Sequence, residues 1–238
     1  MRSSSAPAGS DTRSRAATGR QAITAERVID AAVRLTVEHG LEGWTLRRLA
    51  AELGAYPAVV YHHVGDRDAV VCAVLDRVVG GLRVPDPGLP WQEWFVELLS
   101  ELRVVLRRHP GTARWMVLFG PSVQAATELL DRGVRMLLDA GFGEESTLAY
   151  HLLAATACQF VTMEDDRDGS LAERLDNTEE YAAYRDRSDL PGMAAHGRTM
   201  HRLLTEPGLL DAYFTHLYDY AVRRCLDGLT TRLADIRG

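Results

Sequence analysis

Residues 45–67, TLRRLAAELGAYPAVVYHHVGDR, decide how this chain is read. Leu46, Leu49, Ala50 and Leu53 recur at spacings of three and four, which puts them on one face of a short helix. Gly54 stops that helix, because glycine takes a left-handed C-terminal conformation without steric cost. Tyr56 and Pro57 open the next helix, with Pro57 at a first-turn position where a missing N–H costs nothing. This second helix is brief and ends near Val64 and Gly65, and Asp66 is placed to cap a helix running on from Arg67. Two helices joined by a glycine-containing turn of this length form the helix-turn-helix with which proteins read DNA. The second helix carries Tyr61, His62 and His63, side chains able to hydrogen-bond phosphates or base edges.

Working outward, a first helix is expected from Thr24 to His39, capped by Thr24 and closed by Gly40. Its buried face holds Val28, Ile29, Ala32, Val33, Leu35 and Thr36. On the other side, a helix from Asp66 to about Arg83 carries Ala69, Val70, Ala73, Val74, Val78 and Val79, a stripe wide enough to face two halves of a protein. The segment VPDPGLP, residues 84–90, has three prolines and a glycine and cannot continue a helix. Helical patterns then cover about 91–108, 111–119, 123–140, 144–163, 192–205 and 207–233, with no competing strand pattern. The expected fold is all-α: an N-terminal three-helix helix-turn-helix domain joined by a fourth helix to a C-terminal helical domain. The expected boundaries are a disordered basic arm over 1–21, the helix-turn-helix domain with its linking helix over 22–83, and the helical domain over 84–238. Residues 165–190 are acidic with few large apolar side chains, and read as a solvated loop; a lid over a ligand entrance or a short bracing helix are the alternatives.

Composition narrows the function classes. Apolar residues make up 46% of the chain and charged residues 25%, ordinary for a soluble globular protein. No run reaches the ~18 apolar residues of a membrane span, and the N-terminus lacks the apolar core of a secretory signal, so a cytoplasmic protein without membrane contact is expected. Cys72, Cys158 and Cys225 are widely spaced inside apolar helical patterns, which suggests buried thiols in a reducing compartment and no metal site or disulfide framework. The net charge of −6 argues against nucleic acid as a single number, but the charge is divided unevenly. Residues 1–82 hold ten arginines against nine acids, and residues 83–238 hold seventeen against twenty-four. A DNA footprint would therefore be local, with the acidic remainder held off the duplex. No G-x-S-x-G, H-E-x-x-H, P-loop or dinucleotide glycine pattern is present, so no enzyme and no cofactor are expected. The adjacent His62 and His63 cannot both face one helix-bound metal, and Glu164, Asp165 and Asp166 fall in a charge run read as a solvated patch.

Residues 45–67 resemble the TetR family of transcriptional regulators. Thr45, Leu49, Ala50, Gly54, Ala55, Val60, Tyr61, His63, Val64 and Arg67 match the family's order and spacing, and the run TAERVIDAAVRLTVEHGLEGWT from Thr24 resembles its first helix. The resemblance covers about residues 24–80. It implies a ligand-responsive regulator, more often a repressor, which binds a palindromic operator in double-stranded DNA as a homodimer and is released by a small-molecule effector. It assigns phosphate contacts to Thr45, Tyr61 and Arg67, and base contacts to Arg47 and to Pro57, Ala58, Val59 and His62. Arg48 adjoins Arg47 on an exposed helix face. His63 either contacts phosphate or packs between helices, and Tyr56 departs from the small polar residue usual at its turn. In the C-terminal domain, Trp91, Trp94, Trp115, Phe119, His151, Gln159, Phe160 and Met163 exceed in size or polarity what a helix core needs. They are the candidate pocket for a largely apolar or aromatic effector, with His151 and Gln159 on nearly one helix face and Phe160 and Met163 continuing inward. The last helix has a stripe at Leu210, Phe214, Leu217, Tyr218, Ala221, Val222, Cys225 and Leu229 that, with the helix over 147–163, resembles the family's dimer four-helix bundle. The alternative reading is an all-α small-molecule-binding or catalytic dimer with a vestigial helix-turn-helix.

Overall fold

Each of the first four helices forms where a cap or a stop signal is written into the chain. A computed structural model describes residues 22–120, 123–168 and 178–238; the expected basic arm, 1–21, and the middle of the acidic stretch, 169–177, lie outside the described residues. In α1 (Ala25–His39) the Thr24 hydroxyl accepts from the Arg27 N–H at 3.3 Å. In α2 (Leu46–Glu52) Thr45 accepts from the Arg48 N–H at 3.2 Å. α3 (Pro57–His63) has Pro57 in its first turn, and α4 (Arg67–Gly80) is capped by Asp66, which accepts from the Ala69 N–H at 2.9 Å. Gly54, between α2 and α3, has φ +61°, the left-handed conformation in which an L side chain is strained. These helices close around Val28, Ala31, Leu49, Val60, Val70 and Val74, all fully buried. Trp44 completes this core, its indole N–H donating to the Thr36 hydroxyl at 3.0 Å, which itself donates to the Ala32 carbonyl at 2.8 Å.

After the proline-rich link come α5 (Trp91–Arg107), α6 (Thr112–Phe119), α7 (Gln124–Ala140), a 3-10 turn (Gly143–Glu145), α8 (Ser146–Asp168), α9 (Thr178–Tyr184), α10 (Pro191–Thr205) and α11 (Leu209–Arg237). The described residues hold eleven α-helices and no strand. The central helix α8 packs against α5, α6, α7 and α11, while α9 lies on α10. The two halves meet along α4, which packs on α1 and on α7. Arg77 of α4 donates to Asp30 of α1 at 2.7 Å, and Asp76 of α4 accepts from the Ala125 N–H, in the first turn of α7, at 2.8 Å. A second junction joins the α1–α2 turn to the α5–α6 loop: the Leu41 N–H donates to the Pro110 carbonyl at 2.7 Å.

Three expectations need correction. The helix expected to end at Met163 runs on to Asp168, and Thr178–Tyr184 is helical and packs on α10, so the described parts of 165–190 are more ordered than a solvated loop. Glu164 is not part of a solvated patch but is 1% exposed. It pairs with Arg103 at 2.8 Å and Arg107 at 2.9 Å, and Arg107 also reaches Asp165 at 3.0 Å and Asp168 at 2.6 Å. The arginines lie one turn apart on α5, far away in sequence, so local charge density gave the wrong sign of exposure. Lastly, of the three free thiols only Cys158 is fully buried, and Cys72 and Cys225 are half-buried.

Candidate nucleic-acid interface and effector cavity

α3 is held by its inner side and leaves the rest outward. Val60 is fully buried against the domain core, while Tyr56, Ala58, Tyr61 and His62 are exposed and Pro57, Val59 and His63 are half-buried. Tyr56 supplies no side-chain cap to α3 and is 82% exposed, so its ring is free to meet a partner. On α2, Thr45, Arg47 and Arg48 are exposed, with the Arg48 guanidinium against the His39 imidazole. Thr45 uses its oxygen to cap α2 but keeps its O–H available for donation. Arg67 is placed differently from the rest. Its guanidinium donates to the Leu41 carbonyl at 3.0 Å and lies over the Trp44 ring at 5.4 Å, so it braces the α1–α2 turn as well as bordering the α3 surface. Exposed phenol, imidazole, hydroxyl and guanidinium groups around one short helix suit phosphate contact and base-edge reading.

The eight residues proposed for the ligand pocket do not come together. A cavity of about 340 Å³ lies between α6, α7 and α8, and of the eight only His151 lines it. Its other walls include Met116, Leu129, Leu130, Ala154, Ala155 and Cys158, with Tyr150 as a second polar side chain. Trp115 and Phe119 share α6 with the cavity but stack on each other, centroids 4.8 Å apart, and Phe119 is largely exposed. Trp94 is buried and borders a separate depression of about 620 Å³, which Trp91 also lines, between the proline-rich link and α7. Phe160 is half-buried against the core, Met163 is exposed rather than continuing inward, and Gln159 is exposed. Sequence reasoning missed Tyr150 and the alanine-lined walls, because small helical residues carry no mark that separates a cavity wall from a packed core. Burial pushes the Cys158 thiol up to about 12 and the Tyr150 phenol well above its ordinary range, so both stay neutral.

The α8 face turned away from the core carries Leu148, Leu152, Ala155, Gln159 and Met163, all exposed, at spacings of three and four. On α11 most of the expected stripe is used inside the chain: Tyr218, Val222 and Leu229 are buried, and the Tyr218 hydroxyl donates to the Leu99 carbonyl at 2.6 Å. Leu217, Ala221 and Cys225 remain half-exposed, with Cys225 touching Thr156 of α8.

Residues 28–74 match the family described as bacterial regulatory proteins, tetR family. An HTH-type transcriptional regulator of Saccharopolyspora erythraea is 31% identical over 166 residues, covering 64% of this chain and 69% of the relative. The HTH-type transcriptional repressor DrrR1 of Streptomyces coeruleorubidus is 26% identical over 236 residues, 91% of this chain and 80% of that protein. Among solved structures, ActR of Streptomyces coelicolor in complex with (S)-DNPA aligns with a TM-score of 0.67 at 23% identity, covering 87% of this chain and 99% of that one. That likeness is one of fold.

Proposed function

This chain belongs to the TetR family of bacterial regulatory proteins, and from that membership we propose that it works as a homodimeric repressor, binding a palindromic operator through α2 and α3 and releasing it when a small molecule fills the α6–α7–α8 cavity. It is a DNA-binding regulator of transcription, and the naming of DrrR1 as a repressor supports repression over activation. The residues assigned to DNA are Thr45, Arg47, Arg48, Tyr56, Pro57, Ala58, Val59, Tyr61, His62 and His63, with Arg67 acting through the brace it gives the α1–α2 turn as well as by its charge.

The observation that carries the ligand response is the hydrogen bond from the Ala125 N–H to Asp76. Ala126 and Leu129, on the same helix, line the cavity, and Asp76 belongs to the helix that follows the helix-turn-helix. A ligand that shifts the start of α7 therefore shifts α4, and with it the separation of the two α3 helices in a dimer. Two half-sites one DNA turn apart, about 34 Å, accept only one separation. A ligand that prefers another separation lowers operator affinity by its difference in binding free energy between the two states. The exposed apolar face of α8 supports the dimer, since a monomer would leave Leu148, Leu152 and Met163 in water.

The test is a mobility shift with fragments of the source genome at two salt concentrations. Retardation of particular fragments that persists at the higher salt is expected. Retardation without sequence preference, or none, would restore the reading of a ligand-binding dimer with a vestigial helix-turn-helix.

A further inference from the structure

Tyr150, half-buried, differs from Tyr218, the fully buried tyrosine of the C-terminal domain. The Tyr218 hydroxyl donates to the Leu99 carbonyl, whereas the Tyr150 hydroxyl has no hydrogen-bond partner among the described residues. A phenol among apolar side chains ordinarily finds a partner, and the Tyr150 hydroxyl is not sealed off, so an acceptor can reach it. Tyr150 lines the α6–α7–α8 cavity together with His151 and Cys158. Since burial keeps the phenol protonated, the group it presents is a donor, and what it lacks is an acceptor.

A glycine in the middle of α7 makes room for this tyrosine. A Cβ added at Gly133 would stand 2.5 Å from Cε2 of Tyr150, closer than any side chain tolerates. The ring therefore lies directly on the α7 backbone, beside Phe95, with ring centroids 6.4 Å apart. Glycine within a helix costs roughly 1 kcal/mol relative to alanine, so this position is chosen against helix propensity. The remaining lining adds a second restriction. No Asp, Glu or Arg is among the described residues around the cavity, and its one basic side chain, His151, stands at an exposed position, so an ion entering it would lose water without a fixed counter-charge.

We propose that the cavity takes an uncharged, mainly apolar small molecule whose carbonyl or ether oxygen accepts a hydrogen bond from Tyr150, and that Gly133 sets the position of that tyrosine. The proposal rests on the reading of this cavity as the effector site. Its test uses 9-fluorenone and fluorene, rigid probes that differ in the carbonyl, together with 9-fluorenone-2-carboxylate, titrated calorimetrically into the full chain. Fluorenone should bind roughly tenfold more tightly than fluorene, the ratio expected of one net hydrogen bond, and the carboxylate should bind more weakly than fluorenone. Tyr150→Phe should erase the preference while keeping fluorene affinity, with an unchanged thermal melt showing that the fold is intact. Gly133→Ala, which drives the ring off α7, should weaken both neutral probes. Equal affinity for the two probes, or a preference that survives Tyr150→Phe, overturns the role of Tyr150 and leaves the cavity as the site. Failure of both probes to bind, or binding unaffected by filling the space with Ala154→Trp, overturns the cavity as the site and this proposal with it.

Discussion

Tyr61 offers its phenol to solvent from α3, so Tyr61→Phe removes a hydrogen-bond donor and nothing that holds the fold. Operator affinity should fall about fivefold, by the same factor on every sequence, because a phosphate contact carries no base information. A change in the preferred sequence, measured by selection from a random library, would mean that Tyr61 reads bases. Arg47→Ala should do the reverse, relaxing preference at particular base pairs by about 1–3 kcal/mol each while other positions keep theirs. Arg67 is a poor probe of phosphate binding, since Arg67→Ala also removes the bond to the Leu41 carbonyl and the contact over Trp44. In the C-terminal half Glu164 is the residue whose change should cost most. Glu164→Gln keeps the shape but takes from Arg103 its carboxylate partner while Arg107 keeps Asp165 and Asp168, so with both guanidiniums partly exposed the loss should be about 1–2 kcal/mol. Urea unfolding should report that loss, and an unchanged midpoint would show that water already screens the two arginines.

Between residue and domain, the decisive contact is the one Asp76 makes with the first turn of α7. Asp76→Ala removes a carboxylate cap from that turn, worth about 1 kcal/mol, and amide exchange over residues 124–127 should quicken accordingly. Because the same contact ties α7 to α4, operator affinity should also change, although Asp76 lies outside the helix-turn-helix. Faster exchange with unchanged operator binding would sever the proposed route from cavity to DNA. This contact was not legible in the sequence, and the reason is physical. Thr24, Thr45 and Asp66 cap helices through neighbours three residues away, and Gly54 and Pro57 act on their own backbone, so the first four helices can be read locally. Asp76 with Ala125, Arg103 with Glu164, and Gly133 with Tyr150 are partners only after the chain has folded. Large aromatic residues were therefore a poor guide to the cavity: Trp94 went into the core, Phe119 to the surface, and the walls were made of alanines and aliphatic residues.

At the scale of the whole molecule, a seven-residue reading helix is too small to select one site in a genome, and a second copy must supply the missing affinity. The outer face of α8 is where that copy is expected, since Leu148, Leu152 and Met163 stand there 69%, 47% and 49% exposed. Leu152→Arg places a charge in the middle of the stripe, where two-fold symmetry would bring it near its own image and bury it unpaired. The variant should sediment as a monomer and keep its own fold, because Leu152 lies outside the packed core. Its affinity for a palindromic operator should drop about a hundredfold or more, toward that of one half-site, because the second contact is no longer intramolecular. Its residual binding should also depend less steeply on salt, since half as many phosphates are neutralised. A variant that stays dimeric with full operator affinity would move the interface to another surface, while one that becomes monomeric yet binds the palindrome undiminished would show that each chain reads DNA alone.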